Sequence, residues 1–418
     1  MLRLSPNAFV IVMFIGQLSA TWGLSTLPTV LENVQTAWSL TNTQAGFLNG
    51  VFFFGFAATT PFLTGLTDRV DPKRIYLWSM LLCGLAQIGF AYLADDFISG
   101  NVWRFLYGVG FAGTYMPGLK AVSDAVPAKM QSRAVATFTA SMPTGTGLSF
   151  FLSGAVAQYF MWQDAIALLA TGALVAMAVV VLFMPTEAKI SGGETGGGET
   201  GVGAGAFLPN VKPAFTNRCS LGHIVAYFAH QMETSTTRAF AVVFLIFAMQ
   251  VAPGTVVGVG VFDWNPASVV GLATILGLPV ILLADHLTNF IDRNLLIPIV
   301  MMSGAVLGIV LAVSLGAPYI VVSIVMVVYG VAASADGGLL NAGLVASADL
   351  QNRGGVMAAH SAIGFTGALL GPVIFGAALD WGGGQTSSTA WLAGFTAVGV
   401  IITLCAIVSR ILIRQNNP

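Results

Sequence analysis

His230-Gln231-Met232-Glu233, with Arg238 shortly after it, is the densest group of ionisable side chains inside any apolar stretch of this 418-residue chain. His230 and Glu233 are three residues apart, so on a helix they are surface neighbours. An imidazole titrates near neutrality, and a carboxyl in partly dry surroundings holds its proton more tightly. The two are therefore candidate proton carriers. Arg238 adds a permanently charged, fork-shaped donor suited to a carboxylate. The rival reading is an internal Arg–Glu network that closes one side of the protein and binds no solute. Asp336, in Ala335-Asp336-Gly337-Gly338, needs a proton or a basic partner on another helix, because an unpaired buried carboxylate is expensive. Proton coupling and structural ion pairing both remain open for it. Arg104 and Lys120 lie on one further apolar stretch, sixteen residues apart, a spacing that at about 100° per residue does not place them on one face. Lys120 lies near the end of its stretch, where a lysine can reach water. His360 is either a second titrating group or a satisfied structural histidine. Gln17, Ser19 and Trp22 supply uncharged polar groups.

The elements that must hold these residues are membrane-spanning helices. The chain is 56% hydrophobic and only 8% charged, with a mean hydropathy of +0.84; a soluble domain carries roughly 25% charged residues. Apolar runs bounded by polar punctuation predict spans at 7–31, 42–66, 75–94, 100–122, 134–158, 163–184, 219–250, 267–288, 294–315, 318–346, 354–379 and 387–411. Each is long enough for the roughly 20 apolar residues that a bilayer requires. The first run continues past Trp22 to Val30, which favours an uncleaved helix over a signal peptide. Span two opens on Thr41-Asn42-Thr43-Gln44, a capping-box pattern. Every ionisable residue inside such a span is costly and therefore a functional candidate.

Lys and Arg set the orientation. With both termini in the cytoplasm, the cytoplasmic loops hold Arg69, Lys73, Arg74, Lys129, Arg133, Lys189, Lys212, Arg218, Arg293 and Arg353, while the opposite loops are acidic. The expected location is the cell (inner) membrane, multi-pass. A Gly-rich stretch from Ser191 to Gly205 has the composition of a flexible linker. It divides the chain into an N-terminal six-helix half (1–186), a cytoplasmic linker (187–217) and a C-terminal six-helix half (218–418). The halves echo each other: Tyr107-Gly108-Val109 recurs as Tyr329-Gly330-Val331, and Ser132-Arg133 matches Asn352-Arg353, at an offset near 220. The expected fold is thus an all-α membrane protein of twelve transmembrane helices in two six-helix pseudo-repeats. Cys83, Cys219 and Cys405 make no paired motif, so no disulfide framework, metal site or cofactor is expected. No nucleophile elbow, His/Cys metal cluster or Walker motif appears, which excludes the usual enzyme and ATP-driven classes.

These motifs resemble the major facilitator superfamily over the whole chain. Gly65-Leu66-Thr67-Asp68-Arg69-Val70-Asp71-Pro72-Lys73-Arg74 is similar to that family's cytoplasmic signature, with Thr64 and Asp71 standing where Gly is usual. The resemblance implies a gating role for Asp68, Arg69, Arg74 and Arg133, the rival being a charged loop that only sets topology. Arg104-Phe105-Leu106-Tyr107-Gly108-Val109-Gly110 resembles the family's Arg-x-x-x-Gly-x-Gly motif. Gly364-Phe365-Thr366-Gly367-Ala368-Leu369-Leu370-Gly371-Pro372 resembles the Gly/Pro motif of proton antiporters, and Ser141 to Gly147 does so more loosely. Small residues there permit close helix approach, and packing alone would also account for them. The overall pattern is similar to the nitrate/nitrite and cyanate porter-like branch, although span two lacks that branch's arginine.

The resemblance also implies that helices one, four, seven and ten line a central cavity, the helices that carry Gln17, Trp22, Arg104, Lys120, His230, Glu233, Arg238 and Asp336. The expected function is secondary active transport by alternating access, proton-coupled, of a small organic or inorganic anion. Arg104, Arg238, His230, Gln17 and Trp22 are the expected substrate-binding residues, and Glu233, Asp336 and His230 the expected proton carriers. The expected partners are a small-molecule solute, protons and the lipid bilayer, with no nucleic acid, in a monomer. The alternatives are a proton-antiporting exporter of amphipathic or drug-like compounds, and a transporter-fold sensor or assembly protein.

Overall fold

The computed structural model describes residues 4–67, 69–184, 211–252, 264–349 and 352–414. They are helical nearly throughout: α1 (Pro6–Ala20), α2 (Thr26–Thr29), α3 (Leu31–Trp38), α4 (Asn42–Leu66), α5 (Pro72–Tyr92), α6 (Phe97–Asp124), α7 (Ala128–Ala157), α8 (Trp162–Phe183), α9 (Lys212–Thr216), α10 (Arg218–Val251), α11 (Pro266–Leu287), α12 (Arg293–Val313), α13 (Tyr319–Ser334), α14 (Gly337–Ser347), α15 (Arg353–Trp381) and α16 (Ser388–Arg414). Among the described residues these make twelve long segments once α1–α3 and α13–α14 are each read as one interrupted span. Nine of the helical segments are long and apolar enough to cross a membrane, and Pro6–Ala20 is a shorter apolar helix. The outward faces are apolar, with Trp78, Leu282, Val306 and Leu404 exposed. That surface suits hydrocarbon and would be unstable in water.

Local chemistry explains the ends. The Thr41 and Gln44 side chains accept from each other's backbone N–H groups at 3.2 and 3.0 Å, completing the expected capping box. Asp96 and Ser99 form a second such box at the start of α6, and the Ser99 hydrogen bonds hold the Asp96 carboxyl below its ordinary pKa. Asp71, Asn217, Asn265 and Asp292 cap α5, α10, α11 and α12. At C-terminal ends, where carbonyls lack partners and attract cations, Lys73 Nζ donates to the Val181 and Met184 carbonyls at 3.0 and 2.7 Å. Lys120 Nζ donates to the Thr67 carbonyl at 3.1 Å, so its charge serves the end of α4.

Contacts group the chain into two compact units, one of Met1–Leu27 with Gly55–Gly201 and the other of Pro28–Phe54 with Val202–Pro418. Residues 28–54 pack with the second unit. Backbone proximity is the reason. A Cβ on Gly46 would lie 2.1 Å from the Pro372 carbonyl oxygen, and one on Gly50 2.6 Å from that of Leu369. The junction is pinned by Asp380, whose Oδ1 accepts from the Asn42 backbone and side-chain N–H at 2.9 and 2.8 Å. Its Oδ2 accepts from the Thr43 backbone N–H and hydroxyl at 2.9 and 2.6 Å. Gly383 and Gly384, both with positive φ, turn the chain so that Gln385 Nε2 donates to Gln35 Oε1 and Asn42 Oδ1 at 2.8 and 2.6 Å.

In the first unit α5 packs on α6 and α8, and α1 on α7 and α8; in the second, α10 packs on α15 and α16, α12 on α16, and α11 on α13. The small residues of the span-eleven motif sit where α15 meets α10. A Cβ on Gly367 would fall 2.2 Å from the Phe228 carbonyl oxygen, and one on Gly371 2.5 Å from that of Met232. At these two positions packing accounts for glycine directly.

Candidate functional site

The first unit contains an interrupted span. After α1 the chain makes a turn at Thr21–Ser25 before α2, and the Ser149 hydroxyl donates to the Trp22 carbonyl at 2.7 Å. The Trp22 side chain lies against Gly172, where an added Cβ would meet it at 2.9 Å. Beside this break is a recess of about 250 Å³ lined by Gly23, Gln87, Trp103, Arg104 and Tyr107. Arg104 is buried, with its guanidinium carbon 5.6 Å from the Tyr107 ring centroid, a cation–π arrangement. Gln17 is also buried. Its Oε1 accepts from the Tyr76 hydroxyl at 3.3 Å, and its Nε2 contacts Met142 Sδ at 3.6 Å. Of the expected binding residues in this unit, only Arg104 lines the recess.

The second unit carries most of the ionisable groups. His230 Nδ1 lies 2.6 Å from Asp336 Oδ1, so Asp336 has found the basic partner that its burial demands. Asp336 sits between α13 and α14, in a two-residue turn at Ala335–Asp336 ahead of Gly337 and Gly338. A Cβ on Gly337 would stand 2.9 Å from His230 Nε2. Glu233, one turn along α10, does not join this pair. Its carboxyl is hydrogen-bonded with the Tyr329 hydroxyl, and a Cβ on Gly304 of α12 would come within 2.5 Å of its Oε1. Glu233 Oε1 and Asp336 Oδ2 are both buried without a hydrogen-bond partner among the described residues.

Arg238, two turns above His230, lines a recess of about 400 Å³ with Thr234, Thr237, Thr274 and Ser334, together with small and apolar residues of α11 and α13. Among the described residues no carboxylate lies within ion-pair distance of Arg238. The Arg–Glu network considered from sequence is therefore not formed here. A guanidinium beside hydroxyls can donate charge-assisted hydrogen bonds in a planar fork.

The remaining candidates fall elsewhere. Asp68 lies outside the described residues. Arg69, Arg74 and Arg133 are exposed near helix ends, and the Arg133 carbonyl accepts from Thr137. His360 is buried, its ring stacked on Tyr227 at 3.8 Å between centroids, and its Nε2 is 3.2 Å from Asn341 Oδ1. Sequence reading passed over His223, Tyr227, Asn341 and Thr237. His223 had a usable signal, since seven residues before His230 is two helical turns and hence the same face. The others are uncharged and had none. Among the described residues no group of three or more His, Cys, Asp and Glu could hold a metal ion.

Residues 13–348 match the model of the Major Facilitator Superfamily. Among curated relatives, the chain is 28% identical over 134 residues to a probable sphingolipid transporter, spinster homolog 2, of Arabidopsis thaliana, covering 32% of this chain and 28% of that one. It is 27% identical over 161 residues to the niacin transporter NiaP of Acinetobacter baylyi, covering 38% and 36%. The chain thus spans about a third of the length of the curated relatives it matches. Among solved structures it resembles a bacterial homolog of the human lysosomal transporter Spinster in an inward-facing, unoccupied conformation, with TM-score 0.75, 13% identity and coverage of 98% and 97%. With helical segments along its described length, a family match over most of the chain and ionisable groups gathered inside the helices, the chain belongs to the major facilitator superfamily.

Proposed function

We propose that this protein is a proton-coupled secondary transporter of small organic carboxylates, working by alternating access of its two six-helix halves, residues 1–186 and 218–418, joined by the segment 187–217. The carrying observation is Arg238: a guanidinium lining a recess rich in hydroxyls, with no protein carboxylate beside it among the described residues. A carboxylate solute would accept from the guanidinium fork and from Thr234, Thr237, Thr274 or Ser334. Charge-assisted hydrogen bonds of this kind contribute roughly 1.5–3 kcal/mol each. The niacin transporter among the relatives supports the class, since niacin is a small aromatic carboxylate. The likeness to nitrate/nitrite and cyanate porters contributes only the anionic character of the cargo, and the niacin transporter supports an organic one. Glu233 and Asp336, with His230 paired to Asp336, are the proton-binding groups in this reading. Arg104 is a second anion partner in the first unit, and Gln17 and Trp22 shape the interrupted first span. Arg69, Arg74, Arg133 and Asp68 serve the cytoplasmic gate. Both termini face the cytoplasm of a monomer in the cell membrane.

The test is uptake of nicotinate and benzoate into proteoliposomes under an imposed pH gradient. Arg238→Gln should raise KM about 10–100-fold, which corresponds to about 1.4–2.8 kcal/mol, with little change in protein stability. Unchanged uptake in that variant removes Arg238 from the site. The sphingolipid transporter among the relatives favours a second reading, export of an amphipathic compound by proton antiport. Transport of a long-chain amine in place of either carboxylate would select it.

A further inference from the structure

The recess beside Arg238 has a donor and acceptor pattern that its residue types alone do not show. Thr234, Thr237 and Arg238 stand at i, i+3 and i+4 on α10, a spacing that puts them on one helix face. Thr274 of α11 and Ser334 at the end of α13 complete the polar lining of the recess, about 400 Å³ in volume. Val270, Met326 and Ala333 add an apolar wall. Close approach of α11 and α13 fixes the place of Ser334: a Cβ on Gly330 would stand 2.9 Å from the Ala273 side chain, and one on Gly277 2.8 Å from Ser334 Oγ.

Each of the four hydroxyls already has its hydrogen committed. A Ser or Thr inside a helix donates to the carbonyl one turn back, and all four do so. Thr234 donates to the His230 carbonyl at 3.0 Å, and Thr237 to that of Glu233 at 2.8 Å. Thr274 donates to the Val270 carbonyl at 2.8 Å, and Ser334 to that of Gly330 at 2.9 Å. Thr237 also lies 3.2 Å from the Tyr329 hydroxyl. A hydroxyl has one hydrogen and two lone pairs. An oxygen whose hydrogen is held by the backbone therefore meets a solute as an acceptor, and it donates to a carboxylate only by first breaking that bond. The guanidinium is the opposite, a planar group that only donates. The recess thus sets one fork of donors against a group of acceptors. Benzoate satisfies the fork and offers nothing to the hydroxyls, and nicotinate adds a ring nitrogen that also only accepts.

We infer that the solute of this recess is a hydroxylated carboxylate. Its carboxylate lies on the Arg238 guanidinium, its apolar body runs along Val270, Met326 and Ala333, and its own O–H groups donate to the Thr and Ser oxygens. This rests on the carboxylate reading above and narrows it. A site built to hydrogen-bond a solute hydroxyl rejects the analogue that lacks one, most strongly where its own polar groups are then left unpaired. Here the hydroxyls keep their carbonyl partners when the solute has no donor, so the preference is moderate. It is expected at about 10-fold, which corresponds to about 1.4 kcal/mol.

Exchange in proteoliposomes at equal pH on both sides tests this with matched probes: 3- and 4-hydroxybenzoate, the corresponding methoxybenzoates, and benzoate. Methylation keeps the oxygen and the carboxylate and removes the donor, while benzoate controls for the added methyl. At least one hydroxybenzoate should have a KM about 10-fold below those of its methoxy partner and of benzoate. Thr234→Val, Thr237→Val, Thr274→Val and Ser334→Ala each remove one acceptor, and in at least one of them the ratio should fall to about 2-fold. Equal KM values for hydroxy, methoxy and unsubstituted probes overturn the inference, and the carboxylate reading still stands if their exchange depends on Arg238. A preference that survives all four substitutions also overturns it, since the donors are then received elsewhere. If none of the five probes nor nicotinate exchanges, the carboxylate reading falls and the inference with it. Where a variant fails to fold, thermal unfolding of the native protein decides. The hydroxy member of a pair should protect at about 10-fold lower concentration than the methoxy member, and equal protection overturns the inference.

Discussion

Asp336 and Asp380 belong to the same unit, and each stands at a helix break or end, yet their surroundings are opposite. Asp380 is exposed, and both of its oxygens accept two hydrogen bonds, from Asn42 and from Thr43 at the start of α4. Its negative charge sits where the α4 dipole attracts it, so it gains by being ionised at all times. Asp336 is 1% exposed and has one partner, His230, while its second oxygen has none among the described residues. A carboxylate that is saturated with donors fastens two segments. One that is buried and half-satisfied keeps an acceptor oxygen open. Among the described residues, the buried polar atoms without a hydrogen-bond partner include several on α10, α13–α14 and α15: His223 Nδ1, Glu233 Oε1, Asp336 Oδ2 and His360 Nδ1.

Substitutions can break or sharpen that contrast. The largest effect is expected from Asp336→Asn, which keeps the shape and removes the charge that holds His230. Uptake driven by a pH gradient should fall about 100-fold, or about 2.8 kcal/mol, with the thermal unfolding midpoint nearly unchanged. If uptake survives and stability collapses instead, Asp336 is structural and the contrast fails. Asp380→Ala should behave the other way. Four hydrogen bonds to an ionised group are lost, but the site is exposed and water replaces much of what they contribute, so about 1–2 kcal/mol of stability is expected to go. The readouts are the unfolding midpoint and exchange at the equilibrium temperature of the assay, and a transport defect without a stability loss would count against a fastening role. Thr41→Ala, which removes half of the neighbouring capping box, should cost about 1 kcal/mol and leave proton coupling untouched. A coupling change in that variant would show that the start of α4 takes part in the transport chemistry.

The fold was legible in the sequence to a large degree. Twelve apolar runs appear as twelve helical segments because backbone groups in hydrocarbon must be satisfied within each segment, which makes length and hydropathy nearly sufficient. The Thr41–Gln44 capping box was legible for a similar reason, since its partners are three residues apart. His230, Glu233, Arg238 and Asp336 were legible as ionisable groups inside apolar runs, because charge there is conspicuous whatever the tertiary arrangement, and His230, Glu233 and Asp336 are buried.

Their pairing was not legible. The spacing of His230 and Glu233 made them neighbours on one helix, yet His230 turns to Asp336, 106 residues away, and Glu233 to Tyr329 and Gly304. Among the described residues Arg238 adjoins no carboxylate, and Lys120 reaches a carbonyl at the end of α4. Asn341 and Tyr227 carry no charge that would mark them, and Asp380 looked like one acidic loop residue among several. The sequence by itself determined which helices exist and which of them carry charge, because hydropathy and helix caps are local. Only the tertiary structure decided which of those charges are paired and which are left half-satisfied, because that depends on contacts between helices far apart in the chain, and glycines such as Gly304, Gly337 and Gly367 set how closely those helices approach.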